Sequence, residues 1–588
     1  MLRRHTRVLV AVAATAALAA PTAQAGHGQD RFEKEPTAVG SGGAAGTVDA
    51  LATKAAIDTL RRGGNAVDAT VAAAGVLGVT EPYSAGIGGG GFMVIRTPHG
   101  KVTTIDGREK APAAMRPDTF IDAGVATTDR FSDARYSGLS AGVPGTVEQW
   151  DEALDRYGSM SLRKLLQPGI DVARRGFEVD QTFVDQTTPN VDYFNDIPAT
   201  AAIYLDPDGT PRDVGSTLRN PDLARTYERI AEDGPRAFYR GRIARAIAEA
   251  AQNPPTAPDA NHVWRRGLMT EGDLRRYDAP WRKPTRIDYK GLDVWGMGPP
   301  SSGGSTVGEA LNILEGYTPL GIDRTQALHR YLEASRYAFA DRNAYLADPD
   351  YVDVPLRCLL SDRFAAERRA LITNTAANAV VARGDCGPPD STPLAGEGTS
   401  TTHLTVADRH GFVVSYTFTI ESTGGNGIVV PGYGFLLNNE LTDFNINDRV
   451  HPNAPEGGKR PRSSMAPTIV TRSGRPVLAV GSPGGSMIIT TVLQVLTERL
   501  ELGKSLPQAI VAPRASQRNG TTSVAEPRFM ETEAPALTAR HGHAFGTPQA
   551  EIGAVTGIEF LRGDRMLAAA EPTRRGGGSA AVLRDRRW

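Results

Sequence analysis

The sequence predicts an α+β protein in which a helix-rich segment is followed by a strand-rich one. Apolar residues recur at helix spacing through most of residues 145–375. From Thr401 onward, alternating runs rich in β-branched residues and separated by turn residues replace that period. The 588 residues, 40% hydrophobic and 22% charged, are ordinary for a globular protein and enough for a large core and more than one domain.

The elements follow in chain order. Arg3, Arg4 and Arg7 precede a small-apolar run from Val8 to Ala20, and Ala23-Gln24-Ala25 fits a small-residue cleavage site. Residues 1–25 therefore read as a secretory signal peptide, too short to span a bilayer. Residues 26–36 are polar and read as a leader. Val48, Leu51, Ala52, Ala55 and Ala56 mark a helix that runs to Leu60, and Arg61-Arg62-Gly63-Gly64-Asn65 stops it. Ala66 to Val79 is a second, small-residue helix. A glycine loop, Gly86 to Gly91, opens two strands, Phe92–Arg96 and Val102–Asp106. Helices are expected at Thr146–Tyr157, Leu162–Arg175, Leu223–Glu232, Ile243–Ala251 and Ala327–Leu346. Thr375 to Gly398 lacks a sustained apolar period and reads as an exposed linker, a suitable place for processing. A hairpin comes next, from Thr401 to Thr419, turning at Asp408-Arg409-His410-Gly411. Pro467–Val470 and Pro476–Val480 flank a second turn, and Met487 to Leu502 is a helix.

Several function classes are excluded. With 65 Lys+Arg against 66 Asp+Glu, bulk charge argues against a nucleic-acid partner. No later run is apolar enough for a membrane span. Gly86, Gly88 and Gly91 match G-x-G-x-x-G, but that motif should follow a strand and open a helix, and here the order is reversed. Gly138-Leu139-Ser140-Ala141-Gly142 matches a nucleophile elbow. A polar stretch precedes it, and Pro144-Gly145 separates it from the next helix, so a glycine-rich turn is favoured. His541 and His543 lack nearby ligand partners and read as solvated. Cys358 and Cys386 are either a disulfide or two free thiols, and an exported chain favours the disulfide.

What remains is a set of weak signals that together suit an amino-acid-like substrate. Thr401, if the chain were cut before it, would carry its own amine as base beside its hydroxyl nucleophile. An ordinary hairpin with threonines chosen for strand propensity is the competing reading. Arg108 ends a strand, where it forms either a surface ion pair or a fork for a carboxylate. Glu440 and Asp443, three residues apart, suit an ammonium group. Ser463 and Ser464 offer adjacent hydroxyls, and Gly481 to Ser486 opens a helix whose positive end suits an oxyanion.

These stretches, in this order, resemble the γ-glutamyltransferase (γ-glutamyltranspeptidase) family. The resemblance rests on Gly63 to Ala69, Gly86 to Met93, Asp106 to Glu109, Pro300 to Gly304, Thr401-Thr402-His403, Asn438 to Phe444, Ser463 to Met465 and Gly481 to Ser486. It implies an αββα sandwich of the N-terminal-nucleophile hydrolase type. It also implies a precursor cut at Ser400–Thr401 into a large subunit (26–400) and a small catalytic subunit (401–588) that stay associated. By resemblance, Thr401 is the nucleophile, Thr419 its hydrogen-bonding partner, and Gly484 and Gly485 the oxyanion hole. Arg108, Ser463 and Ser464 would hold the glutamyl α-carboxylate, and Glu440 and Asp443 the α-ammonium. No metal or organic cofactor is implied. The expected partners are glutathione or other γ-glutamyl compounds, with water, amino acids or dipeptides as acceptors.

Two departures stand out. Glu421 occupies a substrate-binding position where many members carry asparagine. Ser463 follows Asp443 by only twenty residues, which implies a short lid and an open pocket. The rival readings are a glutaryl-type β-lactam acylase, a γ-glutamyl polymer hydrolase of the same family, and a non-catalytic protein on the same scaffold.

Overall fold

The computed structural model describes residues 33–317, 323–387 and 400–583. The signal peptide, most of the leader and residues 388–398 of the expected linker lie outside the described residues.

Two seven-stranded antiparallel sheets are stacked face to face. The first runs Ser579–Val582, Gly43–Thr47, Thr402–Asp408, Val413–Thr419, Gly90–Arg96, Val102–Gly107, Trp281–Arg282. The second runs Thr37–Gly40, Met566–Ala570, Thr556–Phe560, Arg475–Gly481, Thr468–Arg472, Leu292–Gly296, Thr285–Tyr289. Both faces of the first sheet are buried, and strand period assigns each side chain to one of them. Met93, Ile95 and Ile105 join an outer core with helices Ala50–Arg61, Ala66–Thr80 and Leu162–Arg175. Phe92 and Val94 join the core between the sheets, which continues to helices Gly303–Glu315, Arg324–Tyr345 and Met487–Leu500. The result is the αββα sandwich.

The central hairpin shows how sequence sets register. Its even-numbered residues Leu404, Val406, Val414, Tyr416 and Phe418 pack into the outer core. The odd-numbered Ser415 faces the opposite sheet, its hydroxyl donating to Val480 O at 3.1 Å. A one-residue slip would bury the polar set against the helices and the apolar set against polar groups, so the register is firmly specified. At the turn, Asp408 accepts from the backbone N–H of His410 and Phe412, and its second oxygen accepts from Ala66 at the start of a helix. That helix is also closed by an Asn65–Asp68 capping box.

Most expected elements are present within one to three residues, including Thr146–Tyr157 and Leu162–Arg175 as read. Residues 145–375 are less uniformly helical than their period suggests. A hairpin, Thr285–Tyr289 and Leu292–Gly296, turns at Lys290-Gly291, where both residues have positive φ. Gly138–Ser140 is a short 3₁₀ turn, with Ser140 Oγ bonded to Arg135 O and Ser137 O. Cys358 and Cys386 form a disulfide. The described part of the linker, 375–387, has no helix or strand but is anchored, with Ala376 N donating to His541 O and Val381 N to Asn519 Oδ1.

The histidines correct the sequence reading. His541 and His543 are buried, not solvated. His329 and His543 share a hydrogen bond of 2.8 Å, and the His329 and His541 rings stack. Burial lowers His329 from 6.5 to about 4 and His543 to about 3, with Arg330 and Arg336 adding repulsion. The folded state thus disfavours protonation that the unfolded chain accepts. This contribution is complete above pH 6.5 and is lost as pH falls towards the folded values. The midpoint of thermal unfolding should fall as pH drops from about 6.5 to about 4, and His543→Gln should flatten that fall.

Candidate active site

The hairpin register places Thr401 opposite Thr419, one step beyond the Thr402–Phe418 pair. Thr401 Oγ1 donates to Thr419 Oγ1 at 3.2 Å, and both residues are buried. Thr401 has φ 152°, a region that costs a non-glycine residue about 1–3 kcal/mol and that clusters at functional sites. Ser400 Oγ is held by Tyr83 O and Ser84 Oγ. The next strand reaches this point only because glycines open and precede it: a Cβ on Gly91 would lie 2.5 Å from Phe418 Cβ, and one on Gly89, just before the strand, 1.9 Å from Thr419 O.

One pocket is lined by Arg108, Ser400, Thr401, Thr419, Glu421, Glu440, Asp443, Ser463, Ser464 and Gly485. Of the ten sequence-predicted site residues, Gly484 alone is not in this lining. It precedes Gly485 at the N-terminal end of helix Met487–Leu500, where φ values of 131° and 57° favour glycine at both positions.

Arg108 is buried rather than at the surface. Its guanidinium donates to Glu440, to Asp443 Oδ2 at 2.5 Å, and to the carbonyls of Pro461 and Arg462. One cation and two anions therefore lie side by side in the wall of the pocket. Glu440 and Asp443 share a 3₁₀ turn, with Asn438 Oδ1 accepting from Glu440 N. Glu440 Oε2 has no hydrogen-bond partner among the described residues.

The serine pair is braced from behind. Ser302 donates to Ser463 O through both its backbone and its hydroxyl, at 2.7 Å each, and Ser463 N donates to Pro300 O. Arg342 Nη2 donates to Ser464 Oγ at 2.7 Å. Glu421 is buried with φ 76°; its N–H donates to Thr419 Oγ1 and its carboxylate accepts from Ser422 and Asn439. His403 bonds Thr417 and Thr405, and burial lowers it to about 3, so it stays neutral and structural.

The profile described as gamma-glutamyltranspeptidase matches residues 52–581. The chain belongs to this family. The glutathione hydrolase proenzyme of Bacillus subtilis is 38% identical over 570 residues, 92% of each chain. An acylase ACY 1 proenzyme of Pseudomonas sp. is 36% identical over 545 residues, 92% of this chain and 93% of its own. Among solved structures, cephalosporin acylase from Bacillus halodurans matches with a TM-score of 0.81 and 28% identity, over 95% of this chain and 99% of that chain.

In this gamma-glutamyltranspeptidase family member, two residues behind the pocket make contacts that the sequence alone does not reveal, and a third residue is a buried carboxyl beside Arg108. Ser302 and Arg342 hold the serine pair. Glu109 is fully buried, with neither carboxylate oxygen hydrogen-bonded among the described residues. Burial raises it to about 8 against the opposing pull of Arg108. It lies within the Asp106–Glu109 motif, but nothing in that motif signals a carboxyl whose burial disfavours its charged form.

Proposed function

We propose that this enzyme is an exported γ-glutamyltransferase/glutathione hydrolase acting through a γ-glutamyl ester on Thr401. The observation that carries this is the Arg108–Glu440–Asp443 cluster beside Thr401. Within the pocket wall the cation and anions neutralise one another. A zwitterionic glutamyl head can replace each half of that pairing: its carboxylate takes Arg108, with Ser463 and Ser464, and its ammonium takes Glu440 and Asp443. Binding then exchanges charge pairs without leaving a buried charge alone.

Maturation begins when Thr401 Oγ attacks the carbonyl carbon of Ser400. The acyl group shifts from nitrogen to oxygen, and water hydrolyses the ester to a Ser400 carboxylate and a free Thr401 amine. The large and small subunits, 26–400 and 401–588, remain packed as the sandwich. In turnover the amine, whose ordinary pKa is about 7.7–8.0, accepts the hydroxyl proton as Oγ attacks the γ-amide. The amide nitrogen leaves with a proton. Water, an amino acid or a dipeptide then takes the glutamyl group. Gly484 and Gly485, at a helix N-terminus, are the oxyanion donors, and Thr419 holds Oγ. These steps need no cofactor. The signal-peptide pattern supports export, and among the described residues no helix is long and apolar enough to cross a membrane.

The acylase relatives fit one alternative, an acylase, for which the donor to consider is a glutaryl amide. A glutaryl group lacks the ammonium and would take Arg108 from Glu440 and Asp443 while offering them no cation. Release of a chromogenic amine from a γ-glutamyl donor, with and without glycylglycine, tests the reading beside a glutaryl donor and a γ-glutamyl oligomer. The γ-glutamyl donor should exceed the glutaryl donor in kcat/KM by about 100-fold or more, equivalent to roughly 3 kcal/mol of unmatched charge. Equal rates would favour the acylase. The short segment between Asp443 and Ser463 favours acceptance of the oligomer as well.

A further inference from the structure

We propose that Arg575 is a positioning residue for Thr401, holding the nucleophile's own carbonyl and keeping its freed amine unprotonated. The inference rests on Thr401 being the nucleophile. Arg575 Nη1 donates to Thr401 O at 2.7 Å. The contact depends on an unusual turn near the end of the described chain, where Arg575 has φ 53° and ψ 42° and is followed by two glycines of positive φ. Such a conformation persists only when its surroundings impose it.

Those surroundings are present. Arg574, the preceding residue, is bound by Glu526 through two bonds of 2.5 and 2.6 Å and by Glu571. Lys34 Nζ donates to Gly576 O and Gly577 O on the other side. Arg575 N donates to Glu551 Oε2 at 2.9 Å. The turn is pinned by segments distant in sequence, and the guanidinium it presents reaches the residue that reacts.

A cation bonded to the carbonyl of Thr401 lies within a few ångströms of the nitrogen on the same Cα, and a nearby like charge disfavours protonation of an amine. The other charges facing this region pull in both directions. On the pocket side, Glu421 favours the ammonium form, and Arg108 is offset by Glu440 and Asp443. Beside Arg575, Glu551 and Glu81 reduce its effect, and burial holds Glu81 at about 7. Lys34 and Asp180 sit behind the turn as a pair 3.9 Å apart. Among the described residues, Arg575 is the cation that contacts the Thr401 backbone directly.

The test compares the full-length chain with Arg575→Gln and Arg575→Lys. Arg575→Gln should cut itself more slowly and lower kcat about tenfold with little change in KM. The acid limb of its kcat profile should move up by about one pH unit. Arg575→Lys, which keeps the charge, should retain the parental acid limb. A Gln variant with parental cleavage, kcat and acid limb would overturn the proposal. So would equal impairment of both variants, or a loss of kcat matched by the loss of folded protein. If the parent neither cuts nor turns over, the assignment of Thr401 itself fails; if the parent works and Arg575→Gln behaves identically, only the role of Arg575 fails.

Discussion

Thr401→Ala should leave the chain uncut and γ-glutamyl donors unhydrolysed, because the same hydroxyl performs both attacks. Its fold should be preserved. The site is buried and the change removes one hydroxyl and one methyl, while the Thr402–Phe418 pairing and the apolar face of the hairpin remain. A cysteine or serine at this position, each with a nucleophile, should restore some cleavage. Thr419→Ala should be milder, since Thr419 holds the nucleophile but does not react. Losing one hydrogen bond in this setting corresponds to about 1 kcal/mol, or roughly fivefold. Gel electrophoresis over time reads cleavage, and a chromogenic donor reads turnover. A Thr401→Ala chain that still separates into two fragments at Ser400 would exclude the mechanism.

Arg108→Ala should be costly in two ways. It removes the fork proposed for the substrate carboxylate, and it leaves Glu440 and Asp443 buried without their cation. Breaking a buried ion pair from one side costs about 3–5 kcal/mol, so both kcat/KM and unfolding free energy should fall strongly. The two losses separate in a double variant. Glu440→Gln added to Arg108→Ala removes one stranded charge and should recover part of the stability without recovering activity. Lower pH should also narrow the stability gap between Arg108→Ala and the parent, because protonation relieves the stranded carboxylates. A stability loss below about 1 kcal/mol in Arg108→Ala would mean that the cluster is not the tightly coupled unit its geometry indicates.

The parts of this site that depend on local pattern were legible in the sequence. Alternation from Thr402 to Phe418 sets the hairpin and hence the Thr401–Thr419 pairing, and the glycine runs mark where backbones approach closely. The pocket roles came from resemblance rather than from spacing. The hidden parts depend on contacts between distant segments. Arg342 lies on helix Arg324–Tyr345, which is buried on nearly every side, so its period marks no functional face. The hairpin at Thr285–Gly296 is two five-residue strands inside a helix-rich stretch, too short to outweigh the surrounding period. The buried histidines pair His543 with a residue 214 positions away, and no local signal distinguishes them from solvated ones. Arg575 is likewise 174 positions from the carbonyl it holds.

The most direct test of the central claim is intact-mass and peptide mapping of the purified protein after brief exposure to a γ-glutamyl donor and acid quenching. The expected result is two chains, the smaller beginning at Thr401 and carrying one glutamyl group on that residue. Turnover by an uncut chain, or a glutamyl group on any other residue, would contradict the account.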